Sequence, residues 1–221
     1  MKTAVIIPAY NAAGTLNLLL ARLLEFVPKH DIIVIDDGSI DNTSEAAKLS
    51  GVEVIIHQHN RGKGAALRRG FDLALRKGYD AVITIDADGQ HDPKYIPELK
   101  DILKTGHYDI VVGSRRSEFR GMFFARYLSN SITTTVVSIL AGQRIQDSQS
   151  GYRIISASVL KNVKLKTSRY QMESELLIKA GRQGFKIGHL DITNIPGSTS
   201  HISHFKDTLR FVKMAVQSLW H

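Results

Sequence analysis

Ile83-Thr84-Ile85-Asp86-Ala87-Asp88-Gly89-Gln90-His91-Asp92-Pro93 is an apolar, β-branched run that stops abruptly in carboxylates and a turn. The run reads as a buried strand, and the turn as the place where its carboxyl end meets solvent. An oxygen-rich cluster at such a position suits a hard divalent cation, magnesium or manganese, which prefers carboxylate, amide and water oxygens. A cation held there would attract phosphate. A strand ending in an ordinary solvated acidic turn has the same local sequence, so the neighbouring segments decide between the two.

Outward from this stretch the same plan repeats. Ala4-Val5-Ile6-Ile7 is a short strand ended by Pro8, followed by a loop and by a helix from about Thr15, whose hydroxyl is a candidate cap, to Phe26. Residues 31–35 form a second strand that ends in Asp36-Asp37-Gly38-Ser39, and residues 52–56 a third. A helix over 63–77 leads to the fourth strand at 81–85, and a helix over 95–104 to the fifth at 108–112. Strands alternating with helices of this length predict an α/β protein with a mostly parallel central sheet and helices on both faces. Ligands of such sheets bind at the carboxyl ends of the strands, where Tyr10, Asp37, Asp86 and Asp88 all fall.

Beyond Gly113-Ser114-Arg115 the alternation fades. A helix is expected over 123–140, then the polar turn Gln146-Asp147-Ser148-Gln149-Ser150-Gly151-Tyr152-Arg153, a helix over 172–184 and a last amphipathic segment over 206–220. We expect a single domain over 1–221, with no linker or repeat in it.

Composition narrows the function. With 43% hydrophobic and 23% charged residues, the 221-residue chain is ordinary for a soluble globular protein. It has no cysteine, which removes disulfides and thiolate zinc sites and points to the cytoplasm. No signal-peptide core is evident, and no apolar run approaches the roughly 20 residues of a membrane span. The net charge of +8 favours anionic partners. No nucleic-acid-binding signature is found, so nucleic acid is the weakest of these partners. The nine histidines match no zinc spacing.

Two further motifs carry chemistry. Asp37, at a strand end, can accept hydrogen bonds from a nucleobase, although Asp36-Asp37-Gly38-Ser39 also suits a plain turn and helix cap. Asn60-Arg61-Gly62-Lys63-Gly64 opens a helix whose small residues allow close approach, and its helix start and Lys63 favour anions. It lacks the spacing of a phosphate-binding Walker loop, and mere close packing would also explain it.

Together, Pro8-Ala9-Tyr10-Asn11, Asp36-Asp37-Gly38-Ser39-x-Asp41-x-Thr43, Asn60-x-Gly62-Lys63-Gly64-x-Ala66, Asp86-Ala87-Asp88-Gly89-Gln90-His91-x-Pro93, Gly113-Ser114-Arg115 and Asp147-x-x-Ser150-Gly151-Tyr152-Arg153 form an ordered series. The series resembles the family 2 glycosyltransferases, and within them the dolichol-phosphate mannose synthase and polyprenyl-phosphate glycosyltransferase branch. The resemblance implies a GT-A fold, with residues 1–115 as the nucleotide-sugar-binding half and 116–221 on the acceptor side. It implies inverting transfer of a hexose, mannose or glucose, from a GDP- or UDP-sugar to a polyprenyl or dolichyl phosphate. Carried over by position, it places Pro8, Tyr10, Asn11, Asp37, Lys63, Asp86 and Ala87 at the nucleotide sugar. Asp86, Asp88 and Gln90 would hold Mg2+ or Mn2+, and Asp88 and Arg115 would be catalytic. Arg115, Arg126, Arg153 and His201 would meet the acceptor phosphate. It further implies peripheral work at the inner face of the cell membrane, compatible with a separate membrane-anchoring subunit. The chain departs from the pattern at Ala12, where relatives often carry Glu, and shows no arginine in Ile195-Pro196-Gly197-Ser198-Thr199, upstream of Ser200.

A phosphate monoester acceptor, with a second pKa of about 6, is largely ionised at neutral pH and can attack without a general base. A sugar hydroxyl would need a base, for which Asp147 or Glu173 is available. Transfer to a hydroxyl in polysaccharide or glycolipid synthesis, and a non-catalytic sugar-nucleotide-binding module, are therefore the alternatives. The apolar and basic segment 122–127 reads either as core or as an in-plane membrane helix.

Overall fold

The computed structural model describes residues 1–115 and 124–195, apart from the side chains of 124–129. Its centre is a seven-stranded sheet formed by β1 (Thr3–Ala9), β2 (Ile32–Asp36), β3 (Glu53–Ile56), β4 (Ala81–Thr84), β5 (Ile110–Ser114), β6 (Arg153–Ser156) and β7 (Ile187–Asp191), in the order β3-β2-β1-β4-β6-β5-β7. The helices are α1 (Ala13–Leu23), α2 (Thr43–Leu49), α3 (Lys63–Arg76), α4 (Ile96–Lys104), α5 (Phe124–Ala141), α6 (Ala157–Asn162) and α7 (Gln171–Arg182).

β1 is buried along its whole length because it is covered on both sides. Ala4 and Ile6 join Ala66, Leu67, Phe71 and Ala74 of α3 in one layer of core. Val5, Ile7 and Ala9 join Leu16, Leu19, Leu20 and Leu23 of α1 in the other. Successive strand residues point to opposite faces, so a strand buried on both reads as a continuous apolar run. α3 lies very close to β1: a Cβ added at Gly70 would stand 2.4 Å from Ile6 Cγ2.

The strand does not stop at Pro8 as the sequence suggested. It continues to Ala9, with Pro8 in register with Ile35. Ile6 accepts from Ile85 on the β4 side, so Pro8, two residues on, faces that side too. The β1–β4 ladder ends at Ile6 and Thr84, where a missing N–H leaves no gap. Thr15 is likewise not a cap, since α1 begins at Ala13 with no side-chain cap.

The second half adds structure that the sequence did not announce: β6, α6 and β7. β6 runs antiparallel between β4 and β5, whereas the other strand pairs are parallel. Its first residue, Arg153, is in register with Thr84 of β4 and Val112 of β5, near their carboxyl ends. The reversed strand therefore delivers the polar turn before it to the edge where the acidic turn begins. The expected last helix, 206–220, lies outside the described residues, as does segment 116–123.

Candidate active site

The acidic turn is tied down from three directions. Thr84 Oγ1 donates to the carbonyl of Gly151 at 2.7 Å, and Thr15 Oγ1, from α1, donates to that of Ala87 at 2.7 Å. Gln90 O accepts from Ile195 N at 2.8 Å, and Gln90 N donates to Asp88 Oδ1 at 3.0 Å. Gln90, His91 and Ala87 are buried, while Asp86 and Asp88 keep partial access to solvent. The backbone of Gly151 lies directly on the Asp86 carboxylate: a Cβ there would come 2.3 Å from Oδ2.

Lys63, the first residue of α3, sends Nζ to Asp86 Oδ1 at 2.6 Å and to Glu173 Oε1 of α7 at 2.9 Å. Burial alone would lower the lysine, but Asp86 and Glu173 outweigh it and hold the ammonium above its ordinary range. Burial also acts to raise Asp86, yet the charges of Lys63 and Arg115 keep it below the usual carboxylate range. Asp88 is pushed up by burial and by the charge of Asp86. Burial pushes His91 down to about 4, so this ring in the turn is neutral.

Two carboxylates on one turn, the charge of Asp86 raising Asp88, beside the Gln90 amide, fit a hard cation by donor chemistry. Among the described residues no three His, Cys, Asp or Glu side chains are grouped to hold a metal alone. An ion on Asp86 and Asp88 would thus complete its shell with water or with substrate oxygens, as magnesium characteristically does.

Arg115, just past β5, is locked to Asp147 in the turn before β6. Nε donates to Oδ2 at 2.8 Å, Nη2 to Oδ1 at 3.1 Å, and the arginine's own amide to Oδ2 at 3.3 Å. Asp147 would be raised by burial, but Arg115 holds it below the ordinary range. Arg153 does not belong with the acceptor residues. It is 1% exposed, and its guanidinium donates to the carbonyls of Ser150, Glu173 and Ser148. An antiparallel strand between β4 and β5 places that side chain inside the protein, where it braces the turn. Arg126 lies on α5 with its side chain outside the described residues, and His201 lies outside them altogether.

On the nucleotide side, Asp37 is also placed differently from expectation. It is 2% exposed. Its Oδ1 accepts from His57 Nδ1 at 2.7 Å and Arg61 N at 3.0 Å, and its Oδ2 from Gly62 N at 2.7 Å. The carboxylate is therefore a clamp on the loop that leads to Lys63 rather than an open reader of a base. Asn11, at φ 50°, receives Ile40 N on Oδ1 at 3.0 Å and donates its own amide to Ser39 Oγ at 2.9 Å, joining two strand-end loops. Tyr10, 48% exposed, remains open to a ligand, whereas Pro8 is buried in the sheet.

With this geometry in view, comparison with known proteins is decisive. The sequence profile described as glycosyl transferase family 2 matches residues 4–165. The chain belongs to glycosyl transferase family 2. The transferase is 32% identical to an undecaprenyl-phosphate mannosyltransferase of Micrococcus luteus, over 87% of this chain and 83% of that protein. It is 33% identical to a UDP-N-acetylglucosamine--dolichyl-phosphate N-acetylglucosaminyltransferase of Methanococcus voltae, over 86% of this chain and 84% of the other. Among solved structures, it matches Mycobacterium tuberculosis glucosyl-3-phosphoglycerate synthase in complex with Mn2+, UDP and phosphoglyceric acid. That match has a TM-score of 0.76 and 20% identity and covers 99% of this chain and 77% of the other. The likeness shows the fold, which is GT-A. Within the transferase, no helix among the described residues is long and apolar enough to cross a membrane.

Three contributors were not assigned their roles from sequence. Glu173 was considered only as a base and proves to be a partner of Lys63; Asp147, weighed the same way, proves to be the partner of Arg115. Thr15 supports the turn instead of capping α1. The sequence carried no signal for the glutamate's role; only the fold shows that it lies on α7, most of which is buried, where an unpaired charge is costly.

Proposed function

We propose that this enzyme transfers a hexose, mannose or glucose, from a nucleotide-diphosphate sugar to a polyprenyl or dolichyl phosphate at the cytoplasmic face of a membrane, with inversion at the anomeric carbon. The observation that carries this reading is the Arg115–Asp147 lock beside the acidic turn. It fixes a guanidinium at the strand ends, where an anionic acceptor must arrive. It also removes Asp147 as a general base, because both carboxylate oxygens are engaged and the group is held strongly acidic. An acceptor that is already ionised needs no such base, whereas a hydroxyl does. The named activities of the relatives at 32% and 33% identity agree with a lipid phosphate as acceptor.

Asp86, Asp88 and Gln90 would hold Mg2+ or Mn2+, which would supply charge neutralisation on the departing diphosphate. Lys63, at the amino end of α3, contributes a further positive charge on the same side. Tyr10 offers an exposed ring at the end of β1 for the nucleoside. Arg115, with Nε and Nη2 held by Asp147, would meet the acceptor phosphate through Nη1, for attack on the anomeric carbon from the face opposite the leaving group. The test is incubation with GDP-mannose, UDP-glucose and related donors, plus Mn2+, against undecaprenyl phosphate, dolichyl phosphate and a panel of free saccharides. Glycosylation of the lipid phosphates alone is expected; transfer only to saccharide hydroxyls would overturn the reading of the acceptor.

A further inference from the structure

Lys63 and Glu173 are brought together by packing that leaves little freedom. Gly62 and Gly64 flank the lysine, and both lie against the segment that leads into α7. A Cβ at Gly62 would stand 2.5 Å from Ser168 O, and one at Gly64 would stand 2.8 Å from Arg169 O and 2.9 Å from Met172 Cβ. Glu173 follows Met172, so the contact that seats α3 on α7 also sets its carboxylate against the ammonium. Both side chains are largely buried. The other partner of that ammonium, Asp86 Oδ1, belongs to the carboxylate pair read above as the metal site.

An ammonium on a metal-ligating oxygen is a competing cation that the chain carries itself. A divalent ion can take that oxygen only if the lysine withdraws or shares it. Withdrawal is costly in a buried site unless the ammonium keeps a counter-charge, and Glu173 supplies one. A diphosphate entering at the amino end of α3 supplies another. We propose that Lys63 is a resident counter-cation which makes divalent-metal binding at Asp86 depend on a nucleoside diphosphate, with Glu173 as the positioning residue that keeps hold of the ammonium. The inference rests on the reading of Asp86 and Asp88 as metal ligands. Its consequence is reciprocal: metal strengthens nucleotide binding by the factor by which nucleotide strengthens metal binding.

The experiment measures free Mn2+ by electron paramagnetic resonance in titrations of the full chain, alone and with UDP or GDP, correcting for manganese bound by the nucleotide in solution. In the wild type, nucleotide is expected to tighten Mn2+ binding by about tenfold or more, within the usual span of coupling between sites. Lys63→Met together with Glu173→Gln removes one positive and one negative charge, so Glu173 is not left as a buried charge without its partner, and Asp86 loses only the resident cation under test. This double variant should bind Mn2+ alone about tenfold more tightly than the wild type, with the enhancement by nucleotide reduced to match. A folded double variant that binds Mn2+ alone no better than the wild type overturns the proposal. So does a wild type whose Mn2+ affinity ignores nucleotide, a result that needs no variant to fold. If Asp88→Ala leaves Mn2+ binding unchanged in every condition, the metal-site reading fails and the counter-cation role fails with it.

Discussion

Asp147 grips Arg115 with both carboxylate oxygens, at 2.8 Å to Nε and 3.1 Å to Nη2, and the pair is almost entirely buried. Asp147→Asn leaves a buried guanidinium without its counter-charge, a change expected to cost about 3 kcal/mol of stability. It should also raise KM for the lipid phosphate more than for the nucleotide sugar. The pH dependence has a definite sign. Burial acts to raise Asp147, but Arg115 holds it below its ordinary value of 3.8. The contribution of the pair is thus complete above that value and is lost as pH falls through the lower folded-state value. Thermal melts should show the gap between wild type and Asp147→Asn narrowing between about pH 5 and pH 2; a constant gap would count against the pair.

Gly151 is required by contact. Its neighbour is the Asp86 carboxylate, which a Cβ would meet at 2.3 Å. Gly151→Ala should displace that carboxylate, lowering both Mn2+ affinity and the transfer rate, with a stability cost of about 1–3 kcal/mol typical of overpacking. Calorimetric Mn2+ titration in the presence of UDP checks it, and unaltered affinity would show that the turn yields without consequence.

Asp37 and Tyr10 should separate cleanly. Asp37→Ala removes three hydrogen bonds to a buried carboxylate and should lower stability by about 3 kcal/mol. Tyr10→Ala alters an exposed ring and should leave the melting temperature nearly unchanged while weakening nucleotide binding. Paired thermal melts and UDP or GDP titrations decide. Equal loss of stability in both variants would contradict the assignment.

Chelation should stop transfer, and added Mn2+ or Mg2+ should restore it in the wild type. In Asp88→Ala no metal addition should restore it, and full activity in that variant would remove Asp88 from the metal site. Donor turnover, followed as nucleoside diphosphate release with and without lipid phosphate, is the readout.

Much of the amino-terminal half was legible because its physics is local. Five short apolar runs, each ending in turn residues, located β1 to β5 within a few residues. The acidic turn after β4 was recognisable from its oxygen-rich side chains alone. The later half resisted for a physical reason. β6 is only four residues long, begins with an arginine and has no hairpin signal, since its neighbours β4 and β5 are distant in the sequence. Arg153 illustrates the cost of reading charge as exposure, for its guanidinium is satisfied by three carbonyls that only the folded turn assembles.

By itself, the sequence determined the alternating α/β plan, the family and the strand ends at which chemistry collects, because hydrophobic periodicity and turn residues act over a few neighbours. The tertiary structure alone decided the pairings: Arg115 with Asp147, Lys63 with Asp86 and Glu173, and Asp37 with His57 and the loop before α3. A charged side chain in water has no preferred partner. It gains one when the fold removes the water and leaves only one or two counter-charges within reach.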